Sequence, residues 1–456
     1  VSATGATWRN WARTEKVRPV RVERPTSAGA VQRAVQAAAR SGLGVKAVGA
    51  GHSFTGIAVA PGVQLDLTDL SGIIDVDHAR ARVTFAAGTR LHRLPALLKP
   101  CGLALTNMGD IDRQSIAGAT STGTHGTGGR FGGIATQIRA LTLVTADGEL
   151  LRVSETENAE LLPAAALGLG ALGIIVDVTM QLEPAYLLQA VERPEPLDAV
   201  LESYLERCSD ADHFEFYWFP HTATGLTKTN TRLSGDAERH PLGRFGRWLD
   251  DEVIANGAYR ALCAVGTLAP ASVPATARLA ERVSGNRDFT DHSPSVFVTN
   301  RTVRFREMEY ALPRAEIPAA VREIRALIES RGWRISFPIE VRSAAADDLW
   351  LSTATGRESG YIAVHRYYRE DPTEYFAAVE QILREHGGRP HWGKLHTLGS
   401  DELRTLYPRF DDFTALRDRL DPTGMFANRY LDRVLGCAPG RPSSGDNGIN
   451  ATAAHK

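Results

Sequence analysis

Cysteine is scarce in this 456-residue chain, and Cys101, Cys208, Cys263 and Cys437 lie too far apart to form a zinc-binding Cys-x-x-Cys pair or a disulfide framework. That usage fits a reducing, cytoplasmic setting, and with no cluster at ligand spacing no metal is expected. No apolar run approaches the roughly 20 residues of a spanning helix, so membrane association is not expected either. Charge of either sign is not in excess: Lys+Arg 52 against Asp+Glu 53 leaves a net −1, which offers no electrostatic handle for nucleic acid. Val1 to Arg13 lacks the charged-then-apolar layout of a secretory leader. Lysine is rare, with six residues (Lys16, Lys46, Lys99, Lys228, Lys394, Lys456) in a chain otherwise biased to arginine. What remains is an ordinary globular composition, 43 % hydrophobic and 23 % charged, long enough for two or three domains and suited to a small-molecule partner.

Local patterns give an α+β order. From Pro25 to Gly42, Thr26 or Ser27 caps a helix whose Val31, Ala34, Val35 and Ala38 share one face. Val45 to Val48, Val63 to Leu67 and Arg82 to Ala87 read as strands. Ile138 to Thr145 and Leu150 to Val153 read as a hairpin turned at Asp147-Gly148 by a tight two-residue turn. A helix is expected at Glu157 to Leu167 and a strand at Leu172 to Leu182. Pro184, Pro194 and Pro196 then mark a domain boundary. Beyond it come a helix at Leu197 to Cys208, a strand at His213 to Phe219, and a stretch at 234–300 with no clear pattern. Strands at Thr302 to Leu312, Ile335 to Val341 and Tyr361 to Tyr367 alternate with helices at Ile317 to Arg331 and Tyr375 to His386, an antiparallel sheet with helices on one face. The Pro-, Gly- and Ser-rich residues 437–456 read as a disordered tail.

Two loops break the regularity. Gly49-Ala50-Gly51-His52-Ser53 follows a strand, and its glycines let backbone amides approach an anion. This is not the dinucleotide fingerprint, because the third glycine is misplaced and no long helix follows. Taken alone it reads equally well as a Gly-rich turn with a surface histidine. Asn107-Met108-Gly109-Asp110 and Gln114 to Gly128 form a second Gly/Thr/Ser stretch, too long for a plain connection.

Together the loops resemble the vanillyl-alcohol-oxidase type of FAD-binding (PCMH-type) domain, and within it the aldonolactone oxidases and dehydrogenases (L-gulono-1,4-lactone or D-arabinono-1,4-lactone oxidase-like) and the related alditol oxidases. The likeness runs from about Pro19 to Gly436 and includes Gly170-Ala171-Leu172-Gly173-Ile174-Ile175 and His391-Trp392-Gly393-Lys394. It implies FAD, linked covalently through His52, and a cofactor site formed by Gly49, Ala50, Gly51, His52, Ser53, Gly109, Asp110, Ser115, Gly118, Ser121, Thr122, Gly123, His125, Gly173 and Ile174. Ser115 is implied to lie near the reactive flavin edge and touch substrate. For His125 a loop-shaping hydrogen bond is favoured over proton transfer. It further implies a two-domain α+β flavoprotein: an FAD domain at 15–185, a substrate domain at 186–400 and a segment at 401–436 packing back near the flavin.

Flavin oxidation of an alcohol needs a proton acceptor and positive charge beside the flavin. Glu340 and Arg342 alternate on Pro338-Ile339-Glu340-Val341-Arg342, so a strand points both to one face. Without the resemblance they read as a solvated ion pair, and His365 as a core histidine. The resemblance places Glu340, Arg342, His365, Lys394 and Ser115 around the substrate. The expected substrate is an aldono-1,4-lactone, with an alditol or other sugar alcohol, or a secondary-metabolite sugar met by a tailoring oxidase, as the alternatives. Met308 to Ala311 favours the former, and the electron acceptor is O2 or a cytochrome or quinone.

Overall fold

Ser27 caps the first long helix by accepting a hydrogen bond from Ala30 N–H at 3.2 Å in the computed structural model, which describes residues 6–234, 237–243, 266–283, 286–299 and 303–438. The helix runs Ala28–Arg40, buries the four residues expected of it, and stops before Gly42 at φ 63°. Its buried face packs on the strands Ile138–Val144 and Ile174–Gln181. Those strands belong to a five-stranded antiparallel sheet ordered Leu150–Ser154, Ile138–Val144, Ile174–Gln181, Arg82–Ala86, Ile73–Asp77. A small parallel sheet, with Val63–Asp66 between Arg21–Glu23 and Val45–Val48, lies alongside in the chain's first half.

Three local expectations are corrected. The hairpin loop spans Thr145 to Glu149 rather than two residues: Thr145 N–H donates to Glu149 O at 3.0 Å, and only Gly148 takes a positive φ, 85°. The helix expected at Glu157 to Leu167 shrinks to Ala159–Leu161 and Leu162–Ala165, because Asn158 sits at φ 51° and Pro163 lacks the amide that would join the two turns. Leu197 to Cys208 divides into Leu197–Glu202 and Tyr204–Asp210 at Ser203, whose hydroxyl bonds back to Ala199 O.

The second half is built on an eight-stranded antiparallel sheet, ordered Arg287–His292, Leu187–Pro196, Thr224–Arg232, His213–Trp218, Ile339–Ala344, Ser359–Tyr367, Phe305–Pro313, Arg389–Pro390. Pro194 and Pro196 lie inside a strand instead of breaking it. Pairing with Arg287–His292 stops at Glu192, so both prolines sit where the strand has one neighbour left and no donor is needed on the open side. Ile317–Arg331 matches the expected helix end to end, with Pro318 in its first turn and Gly332 at φ 63° past its last. The strand expected from Ile335 begins only at Ile339. Within the stretch that resisted reading, the described residues include a helix Val273–Val283, a strand Arg287–His292 and a short helix Ser293–Phe297. From 439 on, the tail read as disordered lies outside the described residues.

One continuous apolar core joins the halves. Gly128 N–H donates to Ser343 O at 2.9 Å, seating the second Gly-rich loop on the Ile339–Ala344 strand. Near the C-terminus, Asn428 Nδ2 donates to the carbonyls of Gly56, Ile57 and Val59, and buried Lys46 donates to Phe426 O and Gly170 O. No helix among the described residues is long and apolar enough to cross a membrane.

Candidate active site

A groove lies in the first half, lined by Gly49, Ala50, Gly51, His52, Ser53, Ser115, Gly118, Ser121, Thr122, Gly173 and Ile174 among the residues expected to hold the cofactor. Glycine is required here by contact. A Cβ on Gly49 would stand 2.3 Å from Ser115 Oγ, and one on Gly173 (φ 155°) would stand 2.8 Å from Val144 O. Ser115 caps the helix Ile116–Ser121 through Gly118 N–H at 3.3 Å, so it lies at the Gly49 side of the groove. These features fit an extended ligand with an anionic middle, held by backbone amides and a helix start.

Gly109, Asp110, Gly123 and His125 are not among the groove's lining residues. Gly109 packs against His125 O, Gly123 (φ 79°) turns the chain after the short helix, and Asp110 faces Arg342 at 3.4 Å. His125 is buried: Nδ1 lies 2.8 Å from Gly126 O, Nε2 lies 3.3 Å from Glu309, and the ring stacks on Tyr361 at 3.6 Å. His391 is close by, and the ligating atoms of His125, Glu309 and His391 fall within 4.8 Å of one another. His391 Nδ1 accepts Gly393 N–H at 3.0 Å, which leaves a proton on Nε2 of the neutral ring.

His52 ends the groove. Trp11 stacks on it with centroids 5.5 Å apart, and Trp11 N–H donates to Gly51 O. Burial, then Lys394, Arg90 and Arg113, push its pKa down to about 4, so at neutral pH the imidazole is uncharged and keeps a lone pair. Phe54 N–H donates to Gly393 O, which ties this loop to the His-Trp-Gly-Lys segment, and Lys394 Nζ lies 5.3 Å from the Phe54 ring centre.

Strand register explains the rest. Residues directly opposite on antiparallel strands share a face. Glu340 is opposite Ala363, which is opposite Glu309; Arg342 is opposite Tyr361; His365 is opposite Glu307; Tyr217, two residues past Glu215, is opposite Glu340. One face of four neighbouring strands therefore gathers Glu215, Glu340, Arg342, His365, Glu307 and Glu309, with small Ala363 among them. The Glu340–Arg342 pair is buried, not solvated: both residues are under a tenth exposed. Arg342 Nε also meets Glu215 at 3.0 Å, and Lys228 lies 3.8 Å from Glu215. Three carboxylates hold the guanidinium charged, above its already high range, against the opposing effect of burial. His365 Nδ1 is 3.0 Å from Pro338 O, its ring abuts Phe305 and Phe337, and Nε2 is 3.6 Å from Glu307. Lys394 Nζ pairs with Glu307. The aromatic rings Trp11, Phe54 and Phe305 bridge His52 to His365.

Glu215, Lys228, Glu307, Glu309 and Trp11 were missed from sequence. Glu307-Met308-Glu309 carries the same charged alternation on an apolar strand that singles out Glu340 and Arg342, so the signal was present. Lys228 was visible as one of six lysines.

Residues 178–434 match the family model for D-arabinono-1,4-lactone oxidase, and residues 19–154 match that for an FAD-binding domain. The chain is 42 % identical over 429 residues to an L-gulono-1,4-lactone dehydrogenase of Mycobacterium tuberculosis, covering 94 % of this chain and 99 % of that one. It is 34 % identical over 438 residues to the L-gulonolactone oxidase of Bos taurus (94 % and 98 % covered), and 31 % identical over 433 to an alditol oxidase of a Streptomyces species (93 % and 98 % covered). A cholesterol oxidase structure from B. sterolicum superposes with TM-score 0.79 at 18 % identity, over 95 % of this chain and 97 % of that one, a likeness of fold.

Proposed function

This chain belongs to the D-arabinono-1,4-lactone oxidase family of FAD-dependent oxidoreductases, and on that premise we propose that it oxidises an aldono-1,4-lactone at C2 with FAD held covalently on His52. One observation carries the reading: Glu340, Arg342 and His365 share one buried sheet face, and Lys394 is bound to that face through Glu307 at the His52 end of the groove. In this reading residues 15–185 form the cofactor domain, 186–400 the substrate domain, and 401–436 returns to the first.

When bound, FAD accepts a hydride from the carbon that carries the substrate hydroxyl. Each residue has a task that its geometry supports. The uncharged imidazole of His52 has the lone pair that attachment needs. Arg342, locked by Glu340, Glu215 and Asp110, presents a fixed cation and leaves Glu340 to accept hydrogen bonds from substrate hydroxyls. His365 holds a proton on Nδ1 for Pro338 O, so Nε2 is the atom that receives the hydroxyl proton. Ser115 lines the groove and holds the start of its short helix. The 2-keto lactone tautomerises to an ascorbate-type enediol. Cys101, Cys208 and Cys437 are unpaired, which supports a cytoplasmic setting.

Anaerobic mixing of the yellow protein with a panel of aldono-1,4-lactones and alditols tests the substrate class. Lactones should bleach the flavin at least tenfold faster than alditols, and the opposite order would move the assignment to a sugar-alcohol oxidase. Admitting air, cytochrome c or a quinone to the bleached protein then identifies the acceptor by which one restores the colour.

A further inference from the structure

Glu307 and Glu309 stand one residue apart on the Phe305–Pro313 strand, both buried on the face that carries the site. A carboxylate taken out of water costs several kcal/mol unless it is paired, so each must have a fixed partner. Glu309 has His125. Glu307 has two: Lys394 Nζ on one oxygen, and His365 Nε2 at 3.6 Å from the other. Its backbone takes part as well. Glu307 O accepts Leu395 N–H at 3.0 Å and Lys394 N–H donates to His391 O, so the turn that presents the lysine is hung from the strand that presents the carboxylate. His365 is the cross-strand neighbour of Glu307, so both partners are placed by the sheet rather than by a mobile loop.

The tautomer of His365 decides what Glu307 is for. Pro338 O can only accept, so Nδ1 carries the hydrogen of that 3.0 Å contact and the neutral ring keeps its lone pair on Nε2. A carboxylate beside a lone pair makes no hydrogen bond. It gains an ion pair across 3.6 Å once Nε2 is protonated. Resting on the function proposed above, we propose that Glu307 is the positioning residue of the site: it keeps Lys394 charged and aimed, and it stabilises His365 once Nε2 has taken the substrate's hydroxyl proton.

The surroundings support a dedicated role. Burial is the largest single influence on Lys394 and pushes its pKa down; Glu307 is the largest opposing one and, with Glu309 and Asp110, brings it above the ordinary lysine value. Lys394 in turn is the largest influence carrying Glu307 down, to about 2, in spite of its burial. The remaining groups facing the pair are His125, paired with Glu309, and His52 and His391, each held down to about 4 mainly by burial. Among the described residues the carboxylate paired directly with Lys394 is Glu307.

The test uses the full chain loaded with FAD and two variants, Glu307→Gln and Glu307→Asp. Peptide mass spectrometry follows acetylation of Lys394 by acetic anhydride against pH. With the carboxylate gone, burial prevails and the amine loses its proton more readily, so Glu307→Gln should acetylate at Lys394 at least tenfold faster at pH 7, while Glu307→Asp stays within threefold of wild type. Anaerobic flavin reduction by a lactone should slow at least tenfold in Glu307→Gln with little change in the substrate concentration for half-maximal rate, its alkaline limb should move to lower pH, and Glu307→Asp should recover part of the rate. An unchanged Lys394 acetylation profile together with a wild-type reduction rate in Glu307→Gln would overturn the proposal. So would an equal loss in both variants without any shift of the pH profile. If Glu307→Gln fails to load flavin, its Lys394 acetylation is compared with that of wild-type protein made without flavin, and equal profiles overturn the proposal. Acetylation needs no substrate: a shifted profile in a protein that no lactone reduces would sink the substrate assignment and leave the positioning of Lys394 standing.

Discussion

Lowering the pH from 7.5 to 5 should destabilise this protein through histidines that are buried uncharged, and His396 shows why. Tyr430 OH donates its one proton to Trp392 O at 2.9 Å, so at 3.0 Å it can only accept from His396 Nε2–H. The lone pair is then on Nδ1, which is buried with no hydrogen-bond partner among the described residues. Protonation would place a second N–H there with nothing to receive it. Burial first, then Arg433 and His391, push the pKa from 6.5 to about 3. A folded-state value below the unfolded one means the unfolded chain binds the proton first. The contribution is therefore complete above about pH 6.5 and falls as pH drops toward 3. At about 1.36 kcal/mol per pH unit, acidification to pH 5 removes about 2 kcal/mol. His213 and His391, both lowered to about 4 chiefly by burial, fall in the same window, so these three histidines together remove about 6 kcal/mol, against a typical stability of about 5–15 kcal/mol. Glu307 titrates below this window and does not confuse it. Urea unfolding at pH 7.5, 6.5, 5.5 and 5 should show His396→Gln, which keeps a donor for Tyr430 but cannot titrate, losing about 2 kcal/mol less than wild type. Parallel losses in the two proteins would refute the reasoning.

Three further outcomes follow from the site. Acid-precipitated wild-type protein should stay yellow and His52→Ala should release its flavin; yellow precipitate from the variant would remove His52 as the attachment point. Gly49→Ala puts a methyl 2.3 Å from Ser115 Oγ and should lower flavin retention at least tenfold, with Ser115→Ala partly restoring it, and normal loading of the single variant would contradict the packing. The acidic limb of the pH profile for flavin reduction should flatten in His365→Gln and persist in Glu340→Gln; the reverse pattern would exchange the two roles.

Where signals are local, the sequence was readable. Ser27 with Val31, Ala34, Val35 and Ala38 needs about three turns of chain to be recognised, and Pro318 with Gly332 brackets Ile317–Arg331 at both ends. The misreadings are also local, with identifiable causes: a left-handed Asn158, a hydroxyl at Ser203 that bends a helix, a longer hairpin loop. The Gly-x-Gly-His-Ser loop was legible as a cradle because glycine there answers to contact with Ser115, whatever the rest of the fold does. Asp110 and His125 were assigned to the cofactor because they stand in a cofactor-like string. Their side chains meet Arg342 and Glu309, partners that the string does not announce.

Partnership across the sheet is a different kind of information. Alternation shows that Glu307 and Glu309 face one way, as it does for Glu340 and Arg342, but which cation meets which carboxylate depends on register, and a slip of one residue would send every one of these side chains to the other face. The register here is held by apolar neighbours on the opposite face, Met308 and Tyr310 on one strand, Ile362 and Val364 on the next, Ile339 and Val341 on the third, all buried against the helix layer. The charged face is therefore aligned by burial on the uncharged one. A site that sets four buried carboxylates against Arg342, Lys228 and Lys394 is costly to assemble and depends on that alignment being unique. The same dependence accounts for sequence reasoning finding the single residues that bear chemistry and missing Glu307, whose function exists only once Lys394 and His365, 87 and 58 positions away, have been brought to it.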